Sequence, residues 1–280
     1  MFAAGEIVLD QKESVPAILE TAASGETAEI FADIRATLNT SVVNLIWRHL
    51  ATMPGALPWA WSTLRPLYLG PAIAHAEAVR RTLRLPAVPA FSRDALAAAA
   101  IDPAALATIR AILRSYHHTN ALALAVLSAL LERYDPTTTD PVQPAETISV
   151  SAETKLPPLP PMADLPGEVQ RLIRELNGYG EDGAPDLIAS MYRHLAYWPP
   201  FLALVRTMLA PLQANGSLNA LTRSARALGR AHGRMLAGGL ASGRPPDCLP
   251  QALAACRLFV EHPIARMTGI CAIIRHATPE

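Results

Sequence analysis

Residues 102–133 read DPAALATIRAILRSYHHTNALALAVLSALLER and carry a regular helical pattern. Asp102 is a typical N-cap residue, and Pro103 takes the first helical position, where its missing N–H costs nothing. The stretch predicts a helix from Ala104 to Arg133. Apolar side chains recur in it at three- and four-residue steps, at Ile109, Ile112, Leu113, Leu122, Val126 and Leu130.

The rest of the chain shows almost no strand pattern. Alternating runs of β-branched residues are missing, and alanine, a poor strand former, is abundant. With 280 residues the chain is near the upper limit for one hydrophobic core. We therefore expect an all-α fold with either two cores or a repeated unit.

Charge and hydropathy exclude several classes of partner. The chain has 24 basic and 24 acidic residues, so its formal net charge is zero and nucleic acid is an unfavourable partner. The longest apolar stretch, Asn120–Leu131, is shorter than the roughly 20 residues of a membrane span. Glu6, Asp10 and Glu13 interrupt the start of the chain, which therefore does not resemble a secretory signal. We expect a cytoplasmic protein without membrane contact.

The three cysteines do not form a recognisable motif. Cys248, Cys256 and Cys271 are odd in number, far apart and in no CxxC spacing. Free, buried thiols are the favoured interpretation, and no metal site is expected.

Two parts of the sequence resemble each other. Trp47–Ala51 (WRHLA) recurs as Tyr192–Ala196 (YRHLA). The similarity predicts a duplicated helical unit, two copies of which would form a pseudo-dimer with a cleft between them. Further matches keep the same register: Pro54 with Pro199, Leu57 with Leu202, Leu64 with Leu209, and Pro66-Leu67 with Pro211-Leu212.

A stretch rich in proline and threonine separates the two copies. Proline cannot continue a helix, and this stretch is too long for an ordinary turn, so it predicts an extended crossover. The expected organisation is a first helical repeat over 1–134, a linker over 135–165 and a second helical repeat over 166–280.

Several landmarks resemble one known family, the group I 2-haloacid dehalogenases (the DehI family). They are DIRATL at 33–38, LATMPGALPWAW at 50–61, YHHTN at 116–120, YWP at 197–199 and LAPL at 209–212. The resemblance covers most of the chain in order. It implies an all-α pseudo-dimer with the active site between its halves, in agreement with the duplication.

The resemblance also implies a reaction. Members hydrolyse the carbon–halogen bond of short 2-halo carboxylic acids with inversion at C2, without a metal or organic cofactor. In that chemistry a carboxylate activates a water molecule, whose proton it accepts, and an amide helps to hold the water. The implied ligand is a small carboxylic acid, and a homodimer is possible.

Carrying the family's site over residue by residue gives a mixed result. The family's amide corresponds to Asn120. The position of its catalytic aspartate corresponds to Met191, which cannot accept a proton. The nearest acid is Asp186, which is either the base or, as we favour, an N-cap of the following helix. Val42 and Leu45 fall on pocket positions, so this pocket should be more aliphatic than the family's.

The departure at Met191 leaves other functions open. One alternative is a non-dehalogenating family member that binds or converts another small apolar acid, and a second is an interaction scaffold.

His49 and His194 occupy equivalent repeat positions, for which a structural role is favoured over a metal pair. A line of arginines at helical spacing is interpreted as a solvated face, with steering of a carboxylate as the alternative: Arg223, Arg226, Arg230 and Arg234.

Overall fold

The computed structural model describes residues 15–135, 155–183 and 187–280, and within these ranges it is all-α, as predicted. The α-helices are α1 Gly25–Leu38, α2 Leu45–Leu50, α3 Ala56–Tyr68, α4 Ala72–Thr82, α5 Arg93–Ala98, α6 Pro103–Tyr134, α7 Gly167–Asn177, α8 Ser190–Leu195, α9 Pro199–Ala214, α10 Ser217–Leu236, α11 Leu249–Phe259 and α12 Ala265–Ala277. A π-helical turn, Val260–Ile264, joins α11 to α12. Short 3-10 turns occur at Glu20–Ala22, Met162–Asp164 and Ala237–Gly239.

The long helix predicted from the sequence is the centre of the molecule. It is α6, and the Asp102 side chain caps it by accepting a hydrogen bond of 2.7 Å from the Ala105 N–H. Helices α4, α10 and α12 pack along it. Every residue from Thr119 to Leu130 is buried, because neighbours cover α6 on all sides in this part. Such a helix fixes side chains in its middle rigidly.

The duplicated motif forms similar local structures in the two halves. Trp47–Leu50 ends α2, and Tyr192–Leu195 ends α8, each helix being six residues long. The helices that follow, α3 and α9, both carry an internal proline near their C-terminal ends, Pro66 and Pro211. The pseudo-dimer and the division into 1–134, 135–165 and 166–280 stay predictions, and residues 136–154 of the linker lie outside the described residues.

Three of the four arginines on α10 have acidic partners, which corrects the favoured interpretation of a solvated face, whereas Arg223 is exposed. Arg226 pairs with Glu181 and Glu261, and Arg230 lies 3.0 Å from Glu261. Arg234 lies 3.7 Å from the buried Glu132 of α6. The compensating acids come from elsewhere in the chain, so the sequence around the arginines could not reveal them.

The cysteines are free thiols, as predicted, but Cys248 is only half-buried. Cys248, Cys256 and Cys271 are free, and the last two are buried. Burial raises the pKa of Cys256 and of Cys271 to about 12, so both are neutral thiols.

As for membranes, no helix within 15–135, 155–183 and 187–280 has the length and apolar character that crossing a bilayer requires.

Candidate functional site

A small pocket lies where five parts of the fold meet. These are the loop before α2 with the start of that helix, the middle of α6, the end of the proline-rich segment, the segment leading into α8 with the start of that helix, and the junction of α11, the π-helical turn and α12. The volume available to water centres in this pocket is about 60 Å³. One water needs about 10–15 Å³ by this measure, so the pocket fits a few waters or a small organic molecule.

The structure brings four of the five predicted site residues to this pocket. Val42 and Leu45 line it from the loop and the start of α2, Asn120 from α6, and Met191 from α8. They are far apart in the sequence, so their meeting depends on the packing of both halves. Asp186 lies outside the described residues. The roles of all five stay predictions.

Hydrogen bonds fix the loop that carries Val42. The Thr40 hydroxyl donates to the Val42 carbonyl over 3.2 Å and accepts from the Val42 N–H over 3.3 Å. The Val43 N–H donates to the Glu20 carboxylate over 2.9 Å. These contacts tie the loop to itself and to the first 3-10 turn, so this wall of the pocket is held in place.

The end of the proline-rich segment closes the pocket on another side. Leu156 lines it, and the Leu156 N–H lies 3.3 Å from the Ser41 hydroxyl. The carbonyls that follow accept hydrogen bonds from side chains of α8 and its C-terminal flank: Pro157 from His194, Pro158 from Tyr197, and Pro160 from Arg193. The described part of the crossover therefore lies against α8 and contributes to the site.

Asn120 is the most conspicuous polar group of the pocket. Its side chain is 6% exposed, and its Nδ2 has no hydrogen-bond partner among the described residues. Burying an amide N–H without an acceptor costs about 1–3 kcal/mol, so evolution rarely retains such a group without a use. The geometry suits an Asn120 amide that donates to a water or to a ligand in the pocket.

Around Asn120 the lining is neutral and mostly apolar. Met191 is 1% exposed. No carboxylate or cationic side chain of the described residues lines the pocket. Such a lining favours the apolar body of a small ligand and lowers the local dielectric constant. The remaining apolar wall comes from Leu187, Ile188, Phe259, Ile264 and Met267.

A tyrosine–histidine pair next to Asn120 was not predicted from the sequence. Tyr116, which also lines the pocket, hydrogen-bonds through its hydroxyl to Nδ1 of His194 over 2.7 Å. The other nitrogen of His194, Nε2, is 3.1 Å from the Pro157 carbonyl, which can only accept. His194 therefore carries its proton on Nε2 and accepts from Tyr116 through Nδ1. Spacing places each residue near a predicted site position, Tyr116 four residues before Asn120 and His194 three after Met191, but it does not reveal their contact.

The other histidines have different surroundings. His49 is 2.7 Å from the Pro16 carbonyl through Nδ1 and stacks on Phe259, so it is not the partner of His194. His117 and His118 are not among the residues that line the pocket. Within the described ranges, no group of three His, Cys, Asp or Glu side chains is placed to hold a metal ion.

Burial of His194 has a consequence for acid stability. Burial lowers its pKa to about 4, with Arg193 acting in the same direction and the Pro157 carbonyl in the opposite one. An unfolded histidine has a pKa near 6.5, so the unfolded chain takes up this proton first as the pH falls. We expect the free energy of unfolding to fall between pH 6.5 and pH 4, by up to roughly 3 kcal/mol from this residue.

Urea unfolding at several pH values, for wild type and His194→Gln, measures this contribution. The variant should lose less stability between pH 6.5 and pH 4 than wild type. His276→Gln is the matched control, since His276 is exposed, and its curve should run parallel to wild type. Parallel curves for wild type and His194→Gln would contradict the assignment of His194 as a buried neutral histidine.

Comparisons with known proteins agree with the resemblance found in the sequence. No protein-family model matches the chain. A curated relative, a configuration-inverting 2-haloacid dehalogenase from Alcaligenes xylosoxydans xylosoxydans, is 28% identical over 224 residues, which are 74% of this chain and 73% of that protein.

Solved structures show the same fold. A D-2-haloacid dehalogenase mutant in complex with D-2-CPA matches with a TM-score of 0.66 and 18% identity, covering 94% of both chains. A second mutant structure of a D-2-haloacid dehalogenase gives a TM-score of 0.69 at 18% identity, covering 94% of this chain and 96% of that one. A complex with L-LA gives 0.67 at 17% identity, covering 94% and 95%.

The fold is therefore that of the all-α 2-haloacid dehalogenases. In sequence the chain is similar to a configuration-inverting 2-haloacid dehalogenase, which agrees with the resemblance found in the sequence.

Proposed function

We propose that this chain hydrolyses the carbon–halogen bond of small 2-halo carboxylic acids by direct attack of water on C2. The observation that carries the proposal is the buried Asn120 amide, unpartnered within the described residues, in a small apolar pocket of a chain related to configuration-inverting dehalogenases. The Asn120 Nδ2–H group holds the attacking water through the water oxygen, which leaves a second lone pair for C2.

The pocket supports this chemistry in two ways. Its aliphatic wall, which includes Val42, Leu45 and Met191, accommodates the alkyl group and the halogen. A water held on α6 and an acid lying against the opposite wall would place water and leaving halide on opposite sides of C2. Displacement in that arrangement inverts the configuration, so a D-2-halo acid yields an L-2-hydroxy acid.

Halide release from D- and L-2-chloropropionate, with chiral analysis of the lactate formed, tests the proposal. We expect release of chloride from at least one enantiomer and a product of the opposite configuration. No release from either enantiomer, while a known family enzyme works under the same conditions, would overturn the proposal.

The alternative is a family member that binds another small apolar acid without removing halide. The neutral lining, with Met191 at the position of the family's aspartate, favours it. Binding of 2-chloropropionate without halide release would be its signature. A pure interaction scaffold fits less well, because Asn120 and Tyr116 give the pocket polar groups.

The cytoplasmic location, the homodimer and the two-repeat division are further proposals. Cell fractionation tests the first, analytical ultracentrifugation the second and limited proteolysis the third.

Introducing a carboxylate at the position of Met191 tests the correspondence with the family. We expect Met191→Asp to raise halide release, by about 10-fold or more, because a positioned general base contributes roughly 10²–10⁴-fold to proton removal. Burial raises the pKa of a carboxyl group, so the gain should be largest at alkaline pH.

Met191→Leu, which keeps the apolar volume, is the matched control and should leave halide release within a few-fold of wild type. A folded Met191→Asp protein that gains nothing over Met191→Leu would show that this side chain does not reach the attacking water.

A further inference from the structure

We propose that the Tyr116–His194 pair is the proton acceptor for the attacking water, in place of the carboxylate that the site lacks at Met191. This role rests on the proposed function and names the group that this function requires. Tyr116 would be the catalytic residue, because it lines the pocket, and His194 would act through it.

Geometry places Tyr116 beside the water site. Tyr116 and Asn120 are four residues apart on α6, so their side chains are neighbours on one face of the helix. Both line the pocket. A water that accepts a hydrogen bond from Asn120 Nδ2 can donate one to Tyr116 Oη, because the hydroxyl oxygen of tyrosine also accepts.

Hydrogen bonds orient His194 for accepting a proton. Its Nε2–H group donates to the Pro157 carbonyl over 3.1 Å, which leaves the lone pair of Nδ1 directed at the Tyr116 hydroxyl, 2.7 Å away. Arg193 Nε donates to the Pro160 carbonyl over 2.9 Å and so helps to hold the segment that carries the Pro157 carbonyl. When His194 becomes an imidazolium, the Pro157 carbonyl stabilises its charge.

The basicity of His194 matches the task. Its side chain is 0% exposed, and burial lowers its pKa to about 4, close to the value of about 3.9 for an ordinary aspartate. The charged group that acts on this pKa is Arg193 of the same helix, and Tyr116 is the titratable group that faces the ring from α6. The pair has the proton affinity of a carboxylate and remains neutral at rest, which suits an apolar pocket.

The proposed step balances. The water oxygen forms a bond to C2, and the carbon–halogen bond breaks with its electron pair leaving on the halide. The water proton passes to Tyr116 Oη while the phenolic proton passes to His194 Nδ1. The products are a 2-hydroxy acid, a halide ion and an imidazolium, which returns its proton to solvent when the products leave.

Steady-state kinetics of Tyr116→Phe and His194→Gln test the pair. Phenylalanine keeps the ring, and glutamine is a neutral polar side chain that cannot take a proton from Tyr116. We expect kcat for halide release to fall by about 10²-fold in each variant with little change in KM. The controls are Tyr179→Phe, whose hydroxyl donates to the Glu175 carboxylate over 3.2 Å outside the pocket, and His276→Gln, both of which should keep the wild-type rate.

The pH profile separates a chemical role from a structural one. Wild type should hold its rate from neutral pH downwards and lose it near pH 4, as His194 becomes protonated. His194→Gln should lack this acid limb and gain rate with hydroxide concentration. In addition, Tyr116→Phe combined with Met191→Asp should recover activity, because the new carboxylate takes the water proton instead.

The outcomes distinguish the two proposals. Loss of kcat in both variants with the changed pH profile supports the pair. If Tyr116→Phe releases halide at the wild-type rate, the role of the pair is overturned and the proposed function stays intact. Loss of release in Asp186→Asn alone would identify Asp186 as the base. Absence of halide release by wild type overturns the proposed function and the pair's role with it.

Discussion

Replacing Asn120 by leucine should make the protein more stable and nearly abolish the proposed halide release. The side chain is buried, and its Nδ2 lacks a partner among the described residues, so the folded state bears the cost of a desolvated N–H. An apolar side chain of similar size removes that cost, and we expect the free energy of unfolding to rise by about 1–3 kcal/mol. The same change removes the donor proposed to hold the attacking water, so halide release should fall by about 10²–10³-fold.

Chemical denaturation and a halide assay on the same preparation measure both effects. Asn120→Ala is a second variant, which should lose the same activity without filling the side-chain volume. An Asn120→Leu protein that is less stable than wild type, or that keeps its turnover, would show that Asn120 has a structural role and does not hold the water.

The second large effect concerns the crossing of α6 and α10. A Cβ atom at Gly233 would lie 2.5 Å from Ser128 Cβ and 2.7 and 2.8 Å from the backbone atoms Ser128 C and Ala129 N. Backbone of a buried helix cannot move aside locally, so the two helices must separate. We expect Gly233→Ala to cost about 3 kcal/mol, although alanine has the better helix propensity. For a protein of this size the melting temperature should fall by roughly 6–12 °C.

Calorimetry on a set of glycine variants measures this effect. Gly229→Ala should cost less, because its Cβ would meet the Leu124 side chain at 2.8 Å, and that side chain can change rotamer. Gly238→Ala, with nothing within 4 Å, is the control and should melt as wild type does. A Gly233→Ala protein with the melting temperature of Gly238→Ala would contradict the close approach of α6 and α10.

Local patterns made part of this structure predictable. The N-cap Asp102, Pro103 and the apolar periodicity define α6 almost to the residue, because each signal lies within the helix or directly before it. The absence of strand patterns predicted the all-α fold. The family's positions, carried onto Val42, Leu45, Asn120 and Met191, identified residues that line one pocket.

The contacts that the sequence did not reveal are tertiary ones. The partners of Arg226 and Arg234 lie on other elements, so spacing along α10 suggested a solvated face. Tyr116 and His194 are 78 residues apart, and only the packing of α8 on α6 brings their side chains together. The tautomer of His194 depends in turn on a carbonyl of the proline-rich segment, for which no local pattern exists.

A single turnover in ¹⁸O-labelled water, with enzyme in excess over 2-chloropropionate, tests the central claim most directly. Mass spectrometry of the lactate reports the origin of its new hydroxyl oxygen. Direct attack by the water held at Asn120 predicts one chloride released for each lactate and ¹⁸O in the hydroxyl group of every product molecule. Unlabelled lactate, which would indicate an ester intermediate on a protein carboxylate, or no lactate at all, would contradict the account.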